Sequence, residues 1–387
     1  MPLKSVSSFR MALAGAAVFA IWGVNHLAKD RELPPDSGFV SVTETLSDPK
    51  TEGYARAFAP RPFVFPADHG PHPEFRTEWW YFTGNLNDSE GRAFGYELTF
   101  FRIGLSPKPV PAGSHWRTNQ MFMGHFALTD VAGKRFHAHE RFSRAALGLA
   151  GAEADTLHVW LEDWSAEPQS PKGFPLRLRA AEKDIAIDLM LEQGKPIVLQ
   201  GQKGLSQKSS EPGNASYYYS LTRMPTSGTI SLKSRDFQVR GQSWLDREWS
   251  TSALSQDQAG WDWFALQLSD NRELMFYRLR RKDDTTDPMS AGTFIDRDGQ
   301  SYPLRRDEFL IETLANWRSP DGVSYPARWR FQIPKEGMDL EINPLLPDQE
   351  LNVSVRYWEG AVAIRGTAAG LPVEGRGYVE LTGYAGN

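Results

Sequence analysis

The chain has 387 residues, of which 24% are charged and 40% hydrophobic, and its formal net charge is −5. This length is sufficient for two ordinary domains, each with its own core. The acidic balance argues against nucleic-acid binding, which requires an excess of Lys and Arg. The absence of Cys excludes disulfides and thiol chemistry. The 13 Trp residues favour a large apolar cavity or extensive packing between sheets, and a hydrophobic small molecule is the expected ligand.

The amino terminus has the pattern of an export signal. Lys4 and Arg10 precede an apolar run from Met11 to Val24, whose positive flank and length are typical of a signal peptide and short for a membrane span. A buried amphipathic helix is disfavoured because the run has no polar face. We predict a cleaved signal peptide or a retained membrane anchor in residues 1–30, a linker in residues 31–60, and a periplasmic or secreted location.

Short alternating runs dominate the chain after Phe39, and they are bounded by Gly, Pro, Asn and Asp. Alternation with a period of two predicts β-strands, whereas helical periodicity is rare here. Two runs, Leu176 to Leu191 and Leu351 to Gly366, contain their own turn and predict hairpins. The sequence therefore predicts an all-β protein.

An internal repeat predicts two related β domains. The segments WWYFTGNLND from Trp79 and WDWFALQLSD from Trp261 share Trp, an aromatic pair, Leu and Asp in register. A second pair, YYSLTRM at Tyr218 and YVELTGY at Tyr378, extends the similarity. Two barrels or two sandwiches fit this pattern, and barrels remove exposed strand edges. We place the boundary near Gly228, which gives predicted domains of residues 61–228 and 229–387.

The segment SWLDREWS contains the strongest candidates for chemistry. On a strand, neighbours point to opposite faces, so Trp244, Asp246 and Glu248 share one face, opposite Arg247. A carboxyl group held against indole rings and near a second carboxylate is shifted toward its neutral form, as a general acid requires. The alternative is a structural salt bridge from one of these acids to Arg247 or Arg278.

The first aromatic strand carries Trp80 and Phe82 on one face and Trp79 and Tyr81 on the other. Because both faces are aromatic, the strand is predicted to face a barrel interior on one side and a covering surface, such as the partner domain, on the other. In the repeat, Asp262 takes the position of Trp80, which places a third acid near the first two.

His125 lies in the apolar run MFMGHFALTD, where an unpaired imidazole would be costly. It therefore needs a partner, either a carboxylate such as Glu78 or Asp246 or a backbone carbonyl. Two interpretations stay open at this point: a hydrogen-bonded core histidine, or a functional acid, base or donor.

Other types of site have weaker support. His69 with His72 and His137 with His139 have spacings that provide little evidence for a metal ion, and no third ligand is evident, so we predict no metal. The sequence contains no Gly-rich phosphate loop, GxSxG elbow, HExxH motif or dinucleotide fingerprint. A hydrolase would need a serine nucleophile such as Ser250 with a base that the sequence does not identify.

Several of these segments together resemble a known family. HPEFRTEWWYFTGNL, MFMGHFALTD, SWLDREWSTSAL with GWDWFALQL, and YVELTGY are similar to the AttH-like family of predicted secreted proteins, which is related to the carotenoid 1,2-hydratases. The similarity extends from about Phe63 to the C terminus. It implies a tandem of two lipocalin-like β-barrels with an apolar cavity at or near the domain junction.

The relationship to the hydratases also implies a reaction. Water would be added across an isoprenoid double bond by acid catalysis, without cofactor or metal, and the proton donor would be Asp246. His125, Trp244 and Tyr81 would position the acid and stabilise a carbocation, since aromatic faces attract cations. Arg247 complicates this expectation, because an adjacent guanidinium would keep Asp246 ionised.

Two hypotheses of different classes follow. The first is a cofactor-independent hydratase, lyase or isomerase that acts on a lipid or isoprenoid. The second is a periplasmic carrier that encloses such a ligand and delivers it to a membrane transport complex, and a secreted hydrolase is a further alternative. The predicted catalytic residues are Asp246, His125 and Glu248, and the predicted substrate-binding residues are Trp80, Tyr81, Trp244, Trp249, Asp262 and Trp263.

Overall fold

The computed structural model describes residues 51–108, 116–251 and 254–385. The predicted signal peptide or anchor lies outside these residues. Within these ranges no helix combines the length and the apolar character needed to cross a membrane. Two 3₁₀ helices, Ala67–His69 and Pro334–Glu336, are found there among many strands, in agreement with the all-β prediction.

Thirteen strands form the first sheet, and every pair in it is antiparallel. Their order is β4-β3-β2-β1-β13-β12-β9-β8-β7-β6-β5, and β10 and β11 also pair with β12. The sheet curls into a barrel, because β5 and β6 return to contact β3. The bounds are β1 (Thr77–Asp88), β2 (Ala93–Gly104), β3 (Gln120–Asp130), β4 (Arg135–Arg144), β5 (Ala150–Ala152), β6 (Val159–Leu161), β7 (Trp164–Pro168), β8 (Leu176–Glu182), β9 (Ile185–Leu191), β10 (Val198–Leu199), β11 (Leu205–Gln207), β12 (Ala215–Leu232) and β13 (Arg235–Ser250).

Ten strands form the second sheet, which is also antiparallel and curls into a half-barrel. Their order is β17-β16-β15-β14-β23-β22-β20-β19-β18, and β21 pairs with β22. The bounds are β14 (Gln258–Leu268), β15 (Glu273–Arg281), β16 (Ala291–Ile295), β17 (Ser301–Arg305), β18 (Leu310–Arg318), β19 (Ser324–Ile333), β20 (Met338–Pro344), β21 (Glu350–Asn352), β22 (Arg356–Ala368) and β23 (Leu371–Leu381).

The two sheets repeat the same strand order. In the first sheet, β4, β3, β2 and β1 lie side by side, and β13 and β12 come next to β1. In the second sheet, β17, β16, β15 and β14 lie side by side, and β23 and β22 come next to β14. The aromatic repeat that starts at Trp79 and at Trp261 therefore lies on equivalent strands. The second pair of segments does not, because Tyr218 is on β12 whereas Tyr378 is on β23, the equivalent of β13.

The passage from one sheet to the other does not occur at Gly228, where the sequence placed it. Gly228 lies inside β12, and the first sheet continues through β13 to Ser250. β13 pairs with both β12 and β1, so it is needed to join the two parts of the barrel. The change of sheet comes between Ser250 and Gln258.

Three of the five apolar clusters among the described residues show how side chains alternate between the faces of the sheets. Trp80 and Phe82 point into the barrel, and Trp329 and Trp358 belong to the core of the second sheet. The third cluster joins the outer faces of the two sheets and includes Tyr81, Tyr218, Trp244, Trp263, Tyr277 and Tyr378. Burying aromatic rings of this size contributes roughly 1.5–3 kcal/mol for each side chain, and this packing holds the two sheets together.

Candidate functional site

A cavity of about 120 Å³ lies between the outer faces of the two sheets. Strands β1, β2, β12 and β13 contribute to one side, and β14, β15, β22 and β23 contribute to the other. Its polar groups include three carboxyl groups and one ammonium group, which belong to Asp246, Glu248, Glu380 and Lys208. Aromatic side chains supply much of the remaining wall, among them Trp79, Tyr81, Tyr218, Trp261, Trp263 and Tyr277.

Asp246 is the most firmly held of these acids. Its Oδ1 accepts hydrogen bonds from Trp244 Nε1 at 2.7 Å and from Ser220 Oγ, and its Oδ2 accepts one from Tyr218 Oη at 2.5 Å. Burial raises the pKa of Asp246 to about 7, and the charge of Glu248 adds to this rise. The three hydrogen-bond donors lower the pKa, but by less than burial raises it. A carboxyl group with this pKa releases a proton readily near neutral pH.

Glu248 lies two residues further along the same face of β13 and is ion-paired. Lys208 Nζ is 3.0 Å from its Oε1, and Ser216 Oγ donates to the same oxygen. Burial favours the neutral amine of Lys208, but the charge of Glu248 and the hydrogen bond to it, together with the charges of Tyr277 and Asp246, outweigh burial and raise the pKa of Lys208. The ammonium also lies 4.7 Å from the centroid of the Tyr277 ring. This pair is therefore a fixed charged element in the cavity wall.

Glu380 is the counterpart of Asp246 in the second sheet. Asp246 on β13 lies opposite Tyr81 on β1, and Glu380 on β23 lies opposite Trp263 on β14. Glu380 Oε1 accepts a hydrogen bond from Trp261 Nε1 at 2.9 Å. Burial raises the pKa of Glu380 to about 8, so this acid is mostly neutral at pH 7.

Two further acids lie behind the cavity wall, and the sequence analysis missed them. Glu359 pairs directly with Glu380 across β22 and β23, and it accepts a hydrogen bond from Tyr81 Oη. Glu97 on β2 has no hydrogen-bond partner on either carboxyl oxygen among the described residues. Burial raises the pKa of both acids well above the usual range. The available signal was a single Glu inside an aromatic run, in FGYEL and in RYWEG.

The predicted faces of β13 are confirmed. Asp246 and Glu248 line the cavity together with the predicted ligand contacts Tyr81 and Trp263. Trp244 lies on the same face and donates to Asp246.

Three predicted ligand contacts lie elsewhere, because they occupy the opposite faces of their strands. The Trp80 ring lies inside the barrel, 3.8 Å from the guanidinium of Arg247. The Trp249 ring stacks on His72 at 3.7 Å. Asp262 is ion-paired with Arg278 and with Arg280, the latter at 3.0 Å.

The alternative of a structural salt bridge to Asp246 or Glu248 from either predicted arginine is wrong. Arg247 points to the inner face of β13, where it pairs with Glu78, and Arg278 pairs with Asp262. Among the described residues, Asp246 therefore has no adjacent guanidinium on its own face that would keep it ionised.

His125 supports the site from behind the cavity. Its Nδ1 is 2.7 Å from Tyr357 Oη, and its Nε2 is 3.0 Å from Glu140 Oε1 on the neighbouring strand β4. The expected carboxylate partner is present, but it is Glu140 and not Glu78 or Asp246. Tyr357 is in the cavity wall, so His125 reaches the wall through that hydrogen bond, which also joins the two sheets.

Two other histidines, His69 and His72, have structural partners. His69 Nδ1 is 2.6 Å from Tyr219 Oη, and His72 Nε2 is 3.1 Å from Asp68 Oδ1. Across the described part of the chain, no group of three or more His, Asp or Glu side chains is arranged to hold a metal ion.

Comparison with known proteins adds a family and a fold. The family model described as AttH-like matches residues 56–384. A crystal structure of a putative AttH from Nitrosomonas europaea is 34% identical, with a TM-score of 0.76, and the match covers 85% of this chain and 99% of that one. Among curated proteins, no relative matches.

Two more distant structures share the fold. Kievitone hydratase from Nectria haematococca is 17% identical with a TM-score of 0.64, and the match covers 86% of this chain and 96% of that one. CghA, determined with Sch210972, is 15% identical with a TM-score of 0.50, with 87% of this chain and 98% of that one covered.

Proposed function

This chain belongs to the AttH-like family, and from that premise we propose that it is a hydratase that adds water to an apolar alkene without a cofactor. Asp246 is the proton donor. The observation that carries this proposal is a carboxyl group with a pKa raised to about 7 in an aromatic cavity. The scaffold is also shared with a kievitone hydratase, which supports the assignment at the level of the fold.

The reaction needs one proton and one water molecule. The Asp246 carboxyl group transfers its proton to one alkene carbon, and the positive charge develops on the other. The rings of Tyr81 and Trp263 stabilise that charge, as does the carboxylate of Glu248. Water forms the new C–O bond, and its surplus proton returns to the Asp246 carboxylate, so that the net change is the addition of water.

The hydrogen bonds around Asp246 suit this role. Tyr218, Ser220 and Trp244 fix the orientation of the carboxyl group, and a fixed donor needs little reorganisation during proton transfer. Rings around the cavity exclude bulk water, which protects a carbocation from uncontrolled capture.

The substrate class is an isoprenoid or a similar lipid. An apolar cavity of this kind recognises shape and surface more than charge. The export pattern from Lys4 to Val24 favours a role outside the cytoplasm, on envelope lipids or imported apolar molecules, and delivery to a membrane transport complex is compatible with that location.

The test compares the wild type with Asp246→Asn. Each protein is incubated in ¹⁸O-labelled water with lipids extracted from a bacterial envelope, and products are identified by mass spectrometry. The wild type is expected to yield a species that has gained one labelled water, and Asp246→Asn should lower its rate by at least about a hundredfold. Asp188→Asn, in an exposed pair with Arg177, is the matched control and should retain full activity.

A carrier would give a different result. If wild type and Asp246→Asn retain the same unmodified lipid and neither incorporates labelled oxygen, the protein binds its ligand without converting it. That outcome would overturn the hydratase and leave the periplasmic carrier.

A further inference from the structure

We propose that Glu380 donates a hydrogen bond from its neutral carboxyl group to an oxygen atom of the substrate, so that the cavity selects an apolar molecule carrying a carbonyl or ether oxygen. This inference deepens the proposed function and rests on it only in taking the cavity as the substrate site. Asp246 and Glu380 occupy equivalent positions opposite Tyr81 and Trp263, and both side chains line the cavity. A molecule bound there meets two acids.

The two acids differ in how they are held. Asp246 accepts from three donors in the wall. Within the described residues, Glu380 accepts a hydrogen bond from one donor, Trp261 Nε1, at 2.9 Å. No atom among these residues accepts a hydrogen bond from a protonated Glu380. Its side chain is partly accessible. The O–H of a neutral Glu380 is therefore free to donate to a ligand.

The surroundings of Glu380 oppose its ionisation. A negative charge on Glu380 is costly, because it would be poorly solvated and would be repelled by the charges of Asp246 and Glu248. The cation in the cavity wall, Lys208, is already paired with Glu248. The titratable groups that face Glu380 are Asp246 and Glu248 on β13, Tyr81 on β1, Glu97 on β2, and Tyr357 and Glu359 on β22.

The acids behind the wall provide independent support. Glu359, the cross-strand neighbour of Glu380, is fully buried, and its Oε2 has no hydrogen-bond partner among the described residues. Glu97 is equally buried, with both oxygens unpartnered in the same part of the chain. Neither acid brings a cation that would hold Glu380 ionised, and Glu380 is the member of this group that reaches the cavity.

The chemistry of a neutral carboxyl group determines the ligand class. A carboxylic acid kept protonated by an apolar site donates a strong hydrogen bond to a carbonyl oxygen. A carboxylate would instead repel that oxygen and attract a cation. An apolar molecule with one oxygen acceptor satisfies both the rings and Glu380, whereas a pure hydrocarbon leaves a buried donor unpaired.

The test uses two probes of nearly equal size, 2-acetylnaphthalene and 2-ethylnaphthalene, of which only the first carries a carbonyl oxygen. Affinities are measured by calorimetry at about pH 6 and at about pH 9.5, on either side of the pKa of about 8. The wild type should bind the ketone roughly tenfold more tightly than the hydrocarbon at the lower pH, as one neutral hydrogen bond provides. That preference should disappear at the higher pH.

Variants at Glu380 separate hydrogen bonding from general effects on the fold. Glu380→Gln keeps a neutral donor, so its preference for the ketone should persist at both pH values. Glu380→Leu removes the donor and should bind both probes equally. Equal affinities for the two probes in the wild type at about pH 6, or a preference that survives in Glu380→Leu, would overturn the inference.

The two proposals fail in different ways. Asp246→Asn should retain the preference for the ketone, because it leaves Glu380 intact. If neither the wild type nor Asp246→Asn incorporates labelled water, the hydratase fails while the ketone preference still stands. If the wild type incorporates labelled water but shows no ketone preference, the role of Glu380 fails alone.

Discussion

Tyr81 and Trp263 meet edge to face across the junction of the two sheets, with ring centroids 5.2 Å apart and an interplanar angle of 86°. They occupy the same position in the two copies of the repeat, one on β1 and one on β14. Each lies opposite an acid on the next strand, Asp246 or Glu380. The cavity is therefore built around an internal pseudo-symmetry.

Stability should fall as the pH rises through the neutral range. The pKa of Asp246 is about 7 in the folded protein against 3.8 ordinarily, and that of Glu380 is about 8 against 4.5. Between these limits the folded state holds protons that the unfolded state has released, so the free energy of unfolding declines with increasing pH. Each group contributes at most about 1.4 kcal/mol per pH unit.

Urea unfolding from about pH 5 to about pH 8 measures this slope. Asp246→Asn and Glu380→Gln should each make it shallower, and Asp188→Asn should not. Identical slopes in all four proteins would contradict the raised pKa values.

Glu78 should be essential to the barrel although it lies outside the cavity. Its fully buried carboxylate pairs with Arg102 and Arg247; burial opposes ionisation, but the two guanidinium groups hold its pKa well below the usual range. Glu78→Gln leaves two buried cations without compensation and should cost about 3–5 kcal/mol. Glu341→Gln in the exposed pair with Arg328 should cost less than about 1 kcal/mol. Similar losses in the two variants would show that the buried charges are not coupled.

The close approach of the two sheets should be sensitive to one methyl group. A Cβ atom at Gly95 on β2 would lie 2.4 Å from the Cβ of Ala361 on β22. Gly95→Ala should therefore destabilise the protein by about 1–3 kcal/mol through overpacking. Adding Ala361→Gly should recover much of that loss, and a double-mutant cycle from thermal unfolding gives the coupling. Additive effects of the two substitutions would mean that the sheets can move apart at this contact without a cost in free energy.

His125 should affect stability more than turnover. Tyr357→Phe removes the hydroxyl group that is 2.7 Å from His125 Nδ1 and leaves a fully buried imidazole nitrogen unpaired, at a cost of about 1–3 kcal/mol. Incorporation of labelled water should change less than about threefold, because His125 acts from behind the wall. A loss as large as that of Asp246→Asn would place the Tyr357–His125 pair in the reaction. Tyr302→Phe, at an exposed hydroxyl group, is the control.

Much of this architecture could be predicted from periodicity. Alternation along β13 placed Asp246 and Glu248 on one face, and the aromatic strands from Trp79 and Trp261 identified the repeat. Periodicity also made clear that Trp80 and Tyr81 point in opposite directions. Periodicity does not show which face of a strand meets the other sheet. For that reason it cannot exclude Trp80, Trp249 and Asp262 as ligand contacts, although all three lie on the opposite faces of their strands.

The three acids that meet at the junction of the sheets could not be found in this way. Glu97, Glu359 and Glu380 are far apart in sequence, and they meet only when β2, β22 and β23 pack at the junction. A single Glu in an aromatic strand has several explanations, such as an edge position or a salt bridge. Only the packing of the sheets identifies Glu97 and Glu359 as buried acids and brings Glu380 to the cavity.

The junction has an evolutionary consequence. The cavity walls come from the outer faces of both sheets, so neither copy of the repeat contains the cavity by itself. A chain divided between Ser250 and Gln258 would leave each half with an aromatic surface exposed to water, which is a cause of aggregation. The two copies must therefore be inherited together. A substitution at Tyr81 or Trp263 affects the packing of both copies, so selection acts on it through both.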